Sequence, residues 1–397
     1  ISAWWTVPLR LLVAIVLTIY VETCFRVRGW GRLPWNRGAT LVVMSPQHEA
    51  DDLIAMLRLW IGGPWRDPVF SASTRRQFEP GFLASRVAAL QYFLRRYNPG
   101  ALMEALGMLP IENELSTRAI RNWAWAVAQL HGNLALNEVF TERALREGEW
   151  DDHAHLLDLY DAQAFDRARR RVKLSAIKEP YRSELLARTR EQIERDLARL
   201  DDVLRQGGSV YLAPEGRHVT DGHTHRFRAA LDRLAPLAGA IYVLPISFDP
   251  LLGRRLSMLY RVLPAASSDV EASLKAARPV TISQVLSVWL LGTTRRFEAR
   301  AATAGVEQIL RDLPDGVFVD PALRHDPARV LNASLRTLSR LRMLAEEGGG
   351  YVLTDERRHP MFPSVADMLA FQATFFAETI AAARQLEGEP DPEPQLV

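Results

Sequence analysis

The chain has 397 residues, enough for one large domain or two ordinary ones, and its 48% hydrophobic and 24% charged content excludes a disordered chain. Forty-nine Lys and Arg against 47 Asp and Glu leave a formal charge of +2, so a dedicated nucleic-acid binder is not expected. The single cysteine, Cys24, excludes an intramolecular disulfide and any cysteine cluster for a metal, which fits a reducing compartment or a protein that does without crosslinks.

Trp4-Trp5 lead into Leu11–Val21, an uncharged run of 11 residues, short of the roughly 20 needed to cross a bilayer. Counted from Trp4, with Arg10 snorkelling, the stretch is longer, and its tryptophans suit the headgroup level. The expectation over residues 1–26 is a membrane-anchoring or interfacial helix, with a buried core helix as the other reading. The stretch lacks a small-residue cleavage site, so its removal as a signal peptide is not expected. Phe25-Arg26-Val27-Arg28-Gly29-Trp30 alternates like a strand, and Arg32–Gly38 is a turn.

Leu41-Val42-Val43-Met44 is an apolar, β-branched run that ends at Ser45-Pro46. His48 follows, then Asp51-Asp52, then Leu53–Leu59 at helical spacing, so a helix is expected to begin at the acids. A buried strand thus delivers His48 to its carboxyl end, the edge at which open α/β sheets bind ligands. A histidine there with a carboxylate three or four residues on can be held in one tautomer and made a better base. A surface loop with a solvated histidine and an N-capping aspartate has the same local pattern.

Val69–Ala72 is the next expected strand, and the basic pair Arg75-Arg76 just past it suits either a phosphate or a solvated turn. From Glu114 to Gln206 the pattern is helical with no strand signal, and Phe165–Arg205 carries a heptad-like stripe that includes Leu185, Ile193, Leu197 and Leu204. This region is expected to be a helical insertion. His153 and His155, two apart, face different sides of a helix, so one metal site is not expected there.

Gly208–Leu212 is a second short apolar strand, and it runs into Pro214-Glu215-Gly216-Arg217. The glycine permits close backbone approach to a ligand, and the arginine offers a planar fork suited to phosphate. His218, His223 and His225 follow without the cysteine or glutamate spacing of a zinc site, so the loop is read as bordering a channel, with Arg226 and Arg228 available to anions. Ala240–Phe248 is a third strand, Leu256–Leu263 a further one, and Val285–Leu291 an apolar helix. Residues 296–346 are expected to be amphipathic helix, Glu346–Gly350 a flexible break, and Met368–Leu386 a last helix with Phe371, Phe375 and Phe376 as core. The tail 387–397 is Pro- and Glu-rich and is expected to be flexible.

Taken together, four blocks resemble the glycerolipid acyltransferase family, the lysophosphatidate and glycerol-3-phosphate acyltransferase-like enzymes. They are the His-acid block at His48, the run Arg96–Glu112, Pro214-Glu215-Gly216-Arg217, and Val243-Leu244-Pro245-Ile246. Two departures are visible. The family has four residues between histidine and aspartate, a place held here by Leu53, and its second block ends in a basic residue where this chain has Glu112. Arg75 and Arg76 could replace that basic residue.

The resemblance implies a mixed, largely parallel α/β sheet flanked by helices over residues 27–264, interrupted by the helical insertion 115–205 and followed by a helical region 265–386. It implies His48 as general base on an acceptor hydroxyl, with Asp52, or else Asp51, orienting the imidazole. Pro214, Glu215 and Gly216 would shape the turn from which Arg217 holds a phosphate. With no Gly-x-Ser-x-Gly elbow, direct attack on a thioester fits better than an acyl-enzyme. The donor would be acyl-CoA or acyl-carrier protein, with no other cofactor and no metal. The acceptor would be a lysophosphatidate or related lipid, and the setting the cytoplasmic side of a bacterial inner membrane. A catalytically silent membrane scaffold on the same fold, and a lipid-ester hydrolase using the same His-Asp pair, are the alternatives.

Overall fold

The computed structural model describes residues 6–33, 38–45, 51–62, 69–85, 91–111, 117–151, 153–215, 221–225, 227, 229–253, 255–354 and 362–388. The chain is mixed α/β and forms two compact units, one built from Arg10–Val69 and Leu204–Val397, the other chiefly from Phe70–Val203.

Helix α1, Thr6–Cys24, buries Arg10, Ala14 and Val21 along one side. On the other side Leu11, Leu12, Ile15, Val16, Ile19 and Tyr20 are about half exposed or more, Ile19 at 64%. Nineteen residues at 1.5 Å each make a helix of about 28 Å, long and apolar enough to cross a bilayer. Strand β1, Phe25–Trp30, follows without a gap.

The first unit centres on β2, Thr40–Val43, which leads through residues 46–50, outside the described residues, to α2, Asp51–Gly62. β2 pairs in parallel with β3, Ser209–Leu212, on one side and with β4, Ala240–Val243, on the other. Leu41, Val42, Val43 and Met44 are wholly buried. An unbroken apolar run is what a central parallel strand needs, because both of its faces are covered.

The apolar run expected as one strand from Ala240 to Phe248 is two. β4 stops at Val243, and β5, Ile246–Asp249, belongs to a different sheet, where it pairs antiparallel with β6, Leu256–Arg261. Pro245 between them has no N–H to give a ladder, so the chain leaves one sheet there and enters the next. β1 completes the second sheet in parallel with β6, and β7, Leu263–Ala265, closes the first sheet antiparallel to β4. On β1, Arg28 makes a two-pronged ion pair with the buried Asp320 at 2.9 and 2.5 Å. On β5, Asp249 is buried, and one of its oxygens accepts from the Ser283 hydroxyl and from the Leu251 N–H at 3.2 Å.

Two helices, α3 (Val270–Ala276) and α4 (Ile282–Leu291), pack against the C-terminal helix α5, Val365–Glu387. α5 buries Met368, Leu369, Phe371, Phe375 and Phe376, so protein satisfies much of its apolar surface, although it too is long and apolar enough to cross a bilayer. The region expected as continuous amphipathic helix up to residue 346 contains the helices Ala299–Arg311, Pro321–His325 and Pro327–Arg340, and then a hairpin. Its strands are β8, Leu344–Glu347, and β9, Gly350–Leu353, joined by Gly348-Gly349 with φ of +55° and +81°. Two consecutive positive φ angles match the right-handed twist of a tight hairpin, so the expected flexible break is a defined turn.

In the second unit, Val69–Thr74 and Met108–Ile111 pair in parallel. The helix Ile120–His131 places Trp123, Ala124 and Val127 in a core shared with Leu136, Phe140 and Leu156. Thr117–Ala119 and Arg171–Lys173 form a short antiparallel pair where only helix was expected. The long helix runs from Tyr181 to Arg205 rather than from Phe165, because Pro180 cannot lie within a helix interior.

Candidate functional site

The parallel register sets Val43 of β2 opposite Leu212 of β3, so both strands end at the same edge of the sheet. The pairing extends one residue further, with the Met44 N–H donating to the Leu212 carbonyl at 3.0 Å. Two side-chain contacts then join the two strand ends and the helix start. The Ser45 hydroxyl donates to one carboxylate oxygen of Glu215, and the Tyr211 hydroxyl donates to Asp52 Oδ1 at 3.1 Å.

Glu215 is 3% exposed, and its second oxygen accepts from the His225 backbone N–H at 2.9 Å. Burial pushes its carboxyl above the ordinary range, while the Ser45 hydroxyl, the His225 N–H and the Arg278 charge pull the other way. The glutamate of the Pro214-Glu215 turn is thus spent on protein groups. It fastens the end of β2 and the loop 221–225 to the end of β3.

Asp51 and Asp52 open α2, where the helix N-terminus favours carboxylates, as the sequence pattern predicts. Asp51 is fully buried and Asp52 half-buried. Tyr211 was not singled out by sequence, yet its phenol lies within 3.1 Å of Asp52 Oδ1 and 3.0 Å of Met44 Sδ. Burial first, and then the Asp52 charge beside it, hold this phenol well above its ordinary value, so it is a proton donor to the carboxylate at any physiological pH. The one sequence signal for it was a hydroxyl-bearing aromatic in an otherwise aliphatic buried strand, since a buried Tyr O–H seeks a partner.

Beyond the strand ends, the loop 221–225 is held by the C-terminal region. Thr224 gives its N–H to Glu378 at 3.0 Å and its hydroxyl to the same carboxylate at 2.7 Å, and Arg278 Nη1 is 3.2 Å from Glu378 Oε2. His225 and Asp221 pair at 3.2 Å. None of Ser45, Thr224, Arg278 and Glu378 belongs to a recognisable local motif.

Among the expected site residues, His48, Gly216 and Arg217 lie outside the described residues, as do His218, Arg226 and Arg228 and the side chain of Arg76. Along the chain, His48 is three residues from both Ser45 and Asp51, and Arg217 is two past Glu215. Arg75 belongs to the second unit, where its guanidinium pairs at 2.5 Å with the buried Asp196, which also accepts from Gln192 at 2.8 Å. Among the described residues no three His, Cys, Asp or Glu side chains gather closely enough to hold a metal ion. No protein-family model matches the chain, and no curated protein does.

Proposed function

We propose that the protein is a membrane-associated O-acyltransferase that moves a fatty acyl group from a thioester, acyl-CoA or acyl-carrier protein, to a hydroxyl of a lysophosphatidate or related phosphate-bearing glycerolipid. The observation that carries the proposal is the joining of two strand ends, by Ser45–Glu215 and Tyr211–Asp52, across 170 and 159 residues of chain. The segment bearing His48 starts at Ser45, which meets Glu215, and finishes at α2, where Asp52 meets Tyr211 of β3; Arg217 is two residues past Glu215 along the chain. An imidazole–carboxylate pair and a phosphate-binding guanidinium that act on one substrate need their chain segments anchored close together, and these two contacts support that reading.

In this mechanism His48 takes the proton from the acceptor hydroxyl as its oxygen attacks the thioester carbonyl carbon. Asp52, steadied by Tyr211, orients the ring and offsets its developing charge. The tetrahedral intermediate collapses, the C–S bond breaks, and the thiolate leaves with the proton returned by His48. Thioesters are already activated, so a base and correct positioning suffice without a covalent acyl-enzyme. Arg217 holds the acceptor phosphate. The half-exposed apolar side of α1 supports membrane association, since it presents a continuous lipid-compatible stripe along the helix.

The test is thiol release from long-chain acyl-CoA, with and without lysophosphatidate or glycerol 3-phosphate. Release that requires acceptor supports the transferase; release without acceptor points to a hydrolase, and none with any pair to a scaffold. His48→Ala should lower turnover by about 10²- to 10⁴-fold, the usual worth of a general base. Turnover that survives this change refutes the base assignment.

A further inference from the structure

The C-terminal helix makes a set of contacts with the loop after the Pro214-Glu215 turn that packing alone does not call for. Arg278, 1% exposed, has its guanidinium 3.9 Å above the Phe375 ring of α5. One of its nitrogens meets Glu378 at 3.2 Å and another donates to the Thr224 hydroxyl. Thr224 passes that hydrogen bond on to Glu378, which also accepts the Thr224 N–H, and the His223 ring lies 3.4 Å from the same carboxylate. Burial by itself would raise the Glu378 carboxyl, yet the Thr224 hydrogen bonds and the Arg278 charge hold it below its ordinary range, so it is present as the anion the network needs. Gly222 shows how closely the loop lies on the helix. Its φ is +82°, and a Cβ there would come within 2.5 Å of the Phe371 carbonyl oxygen. The next link is the His225 N–H, donated to Glu215.

We propose that Arg278 and Glu378 are positioning residues, and that α5 clamps loop 221–225 through them so that Glu215 holds the Pro214-Glu215 turn in the geometry its ligand needs. What that ligand is rests on the acyl-transfer reading, in which the turn serves the phosphate of the acceptor; the clamp itself does not. The helical C-terminal region is then part of the site's machinery.

The test uses the full chain carrying Arg278→Met with Glu378→Leu. Exchanging both members of a buried ion pair for apolar residues spares stability far better than removing one. Amide exchange of the peptide spanning 221–227 is measured by mass spectrometry, along with acyl-transfer kinetics. Exchange there should rise by about tenfold or more while the rest of the first unit is unchanged. The KM for lysophosphatidate should rise about tenfold, with kcat and the acyl-CoA KM within about threefold. Gly222→Ala, which lifts the loop off α5 and leaves the ion pair intact, should reproduce that pattern and guards against a double variant that fails to fold.

Unchanged exchange at 221–227, or exchange that quickens uniformly across the unit, overturns the clamp. Exchange that quickens locally while the acceptor KM stays put overturns its link to the turn. If the wild-type protein transfers no acyl group at all, the acyl-transfer reading falls, and local exchange still decides the clamp.

Discussion

The contact between Tyr211 and Asp52 ties the buried strand to the proposed acid, and removing one oxygen atom tests it. Tyr211→Phe keeps the ring in its fully buried place and deletes the hydroxyl that donates to Asp52 Oδ1 at 3.1 Å. A hydrogen bond to a charged group is worth about 1.5–3 kcal/mol, and because Asp52 is only half-buried the lower end applies. The Met44 sulfur loses only a weak donor contact at 3.0 Å, so the packing cost is small. If Asp52 orients and charges the catalytic imidazole, about 1.5 kcal/mol lost from its support appears in the transition state as roughly a tenfold fall in kcat. Neither KM should move by more than about twofold, because in this reading the buried phenol acts through Asp52 and not on a substrate. The assay is steady-state acyl transfer for the wild type, Tyr211→Phe, Asp52→Asn and the double variant. With Asp52 already neutral, Tyr211→Phe should cost almost nothing further, which is the signature of two groups acting as one. An unchanged kcat in Tyr211→Phe beside an inactive Asp52→Asn refutes the reasoning, since Asp52 would then work without the phenol. Equal losses from Tyr211→Phe in both backgrounds refute it too.

Two further outcomes are expected. Burial pushes the Asp249 carboxyl up from 3.8 to about 6, so the folded protein binds more protons than the unfolded chain between about pH 4 and 6, and stability falls as pH rises through that window. Holding the group ionised at pH 7 costs roughly 3 kcal/mol at about 1.4 kcal/mol per pH unit, so Asp249→Asn should gain on the wild type by up to that amount between pH 4 and 7. Urea denaturation of both proteins across that range checks it, and a pH-independent difference rejects the assignment. On α1, Leu12, Ile15 and Ile19 are 60%, 51% and 64% exposed, so changing all three to Ser should leave folding intact. About 1 kcal/mol of lipid burial lost at each should weaken sedimentation with phospholipid vesicles by about 10²-fold. Undiminished binding removes this face from the membrane contact.

Several elements were legible locally. β2 ends before Ser45-Pro46, Asp51–Gly62 is helical, and β1 spans the alternating run Phe25–Trp30, because strand and helix periods and their stop signals are written within a few residues. Where the local pattern misled, a short-range competitor was present. Pro245 split one apolar run between two sheets, and Gly348-Gly349 made a hairpin turn where flexibility was expected. The site was legible only in outline. The pattern marked the acids of α2 and the Pro214-Glu215 turn, but gave no sign that Arg75 pairs with a buried aspartate 121 residues away.

By itself, then, the amino-acid sequence determined the alternation of apolar strands with polar strand ends, since hydrophobic periodicity and turn chemistry act between near neighbours. Only the tertiary structure decided that Ser45 meets Glu215, that Tyr211 meets Asp52, and that Arg278 meets Glu378 across 100 residues. These are pairings of buried polar groups, each of which must find a partner once it leaves water. Which partner is within reach is set by strand register and helix packing, not by any spacing along the chain.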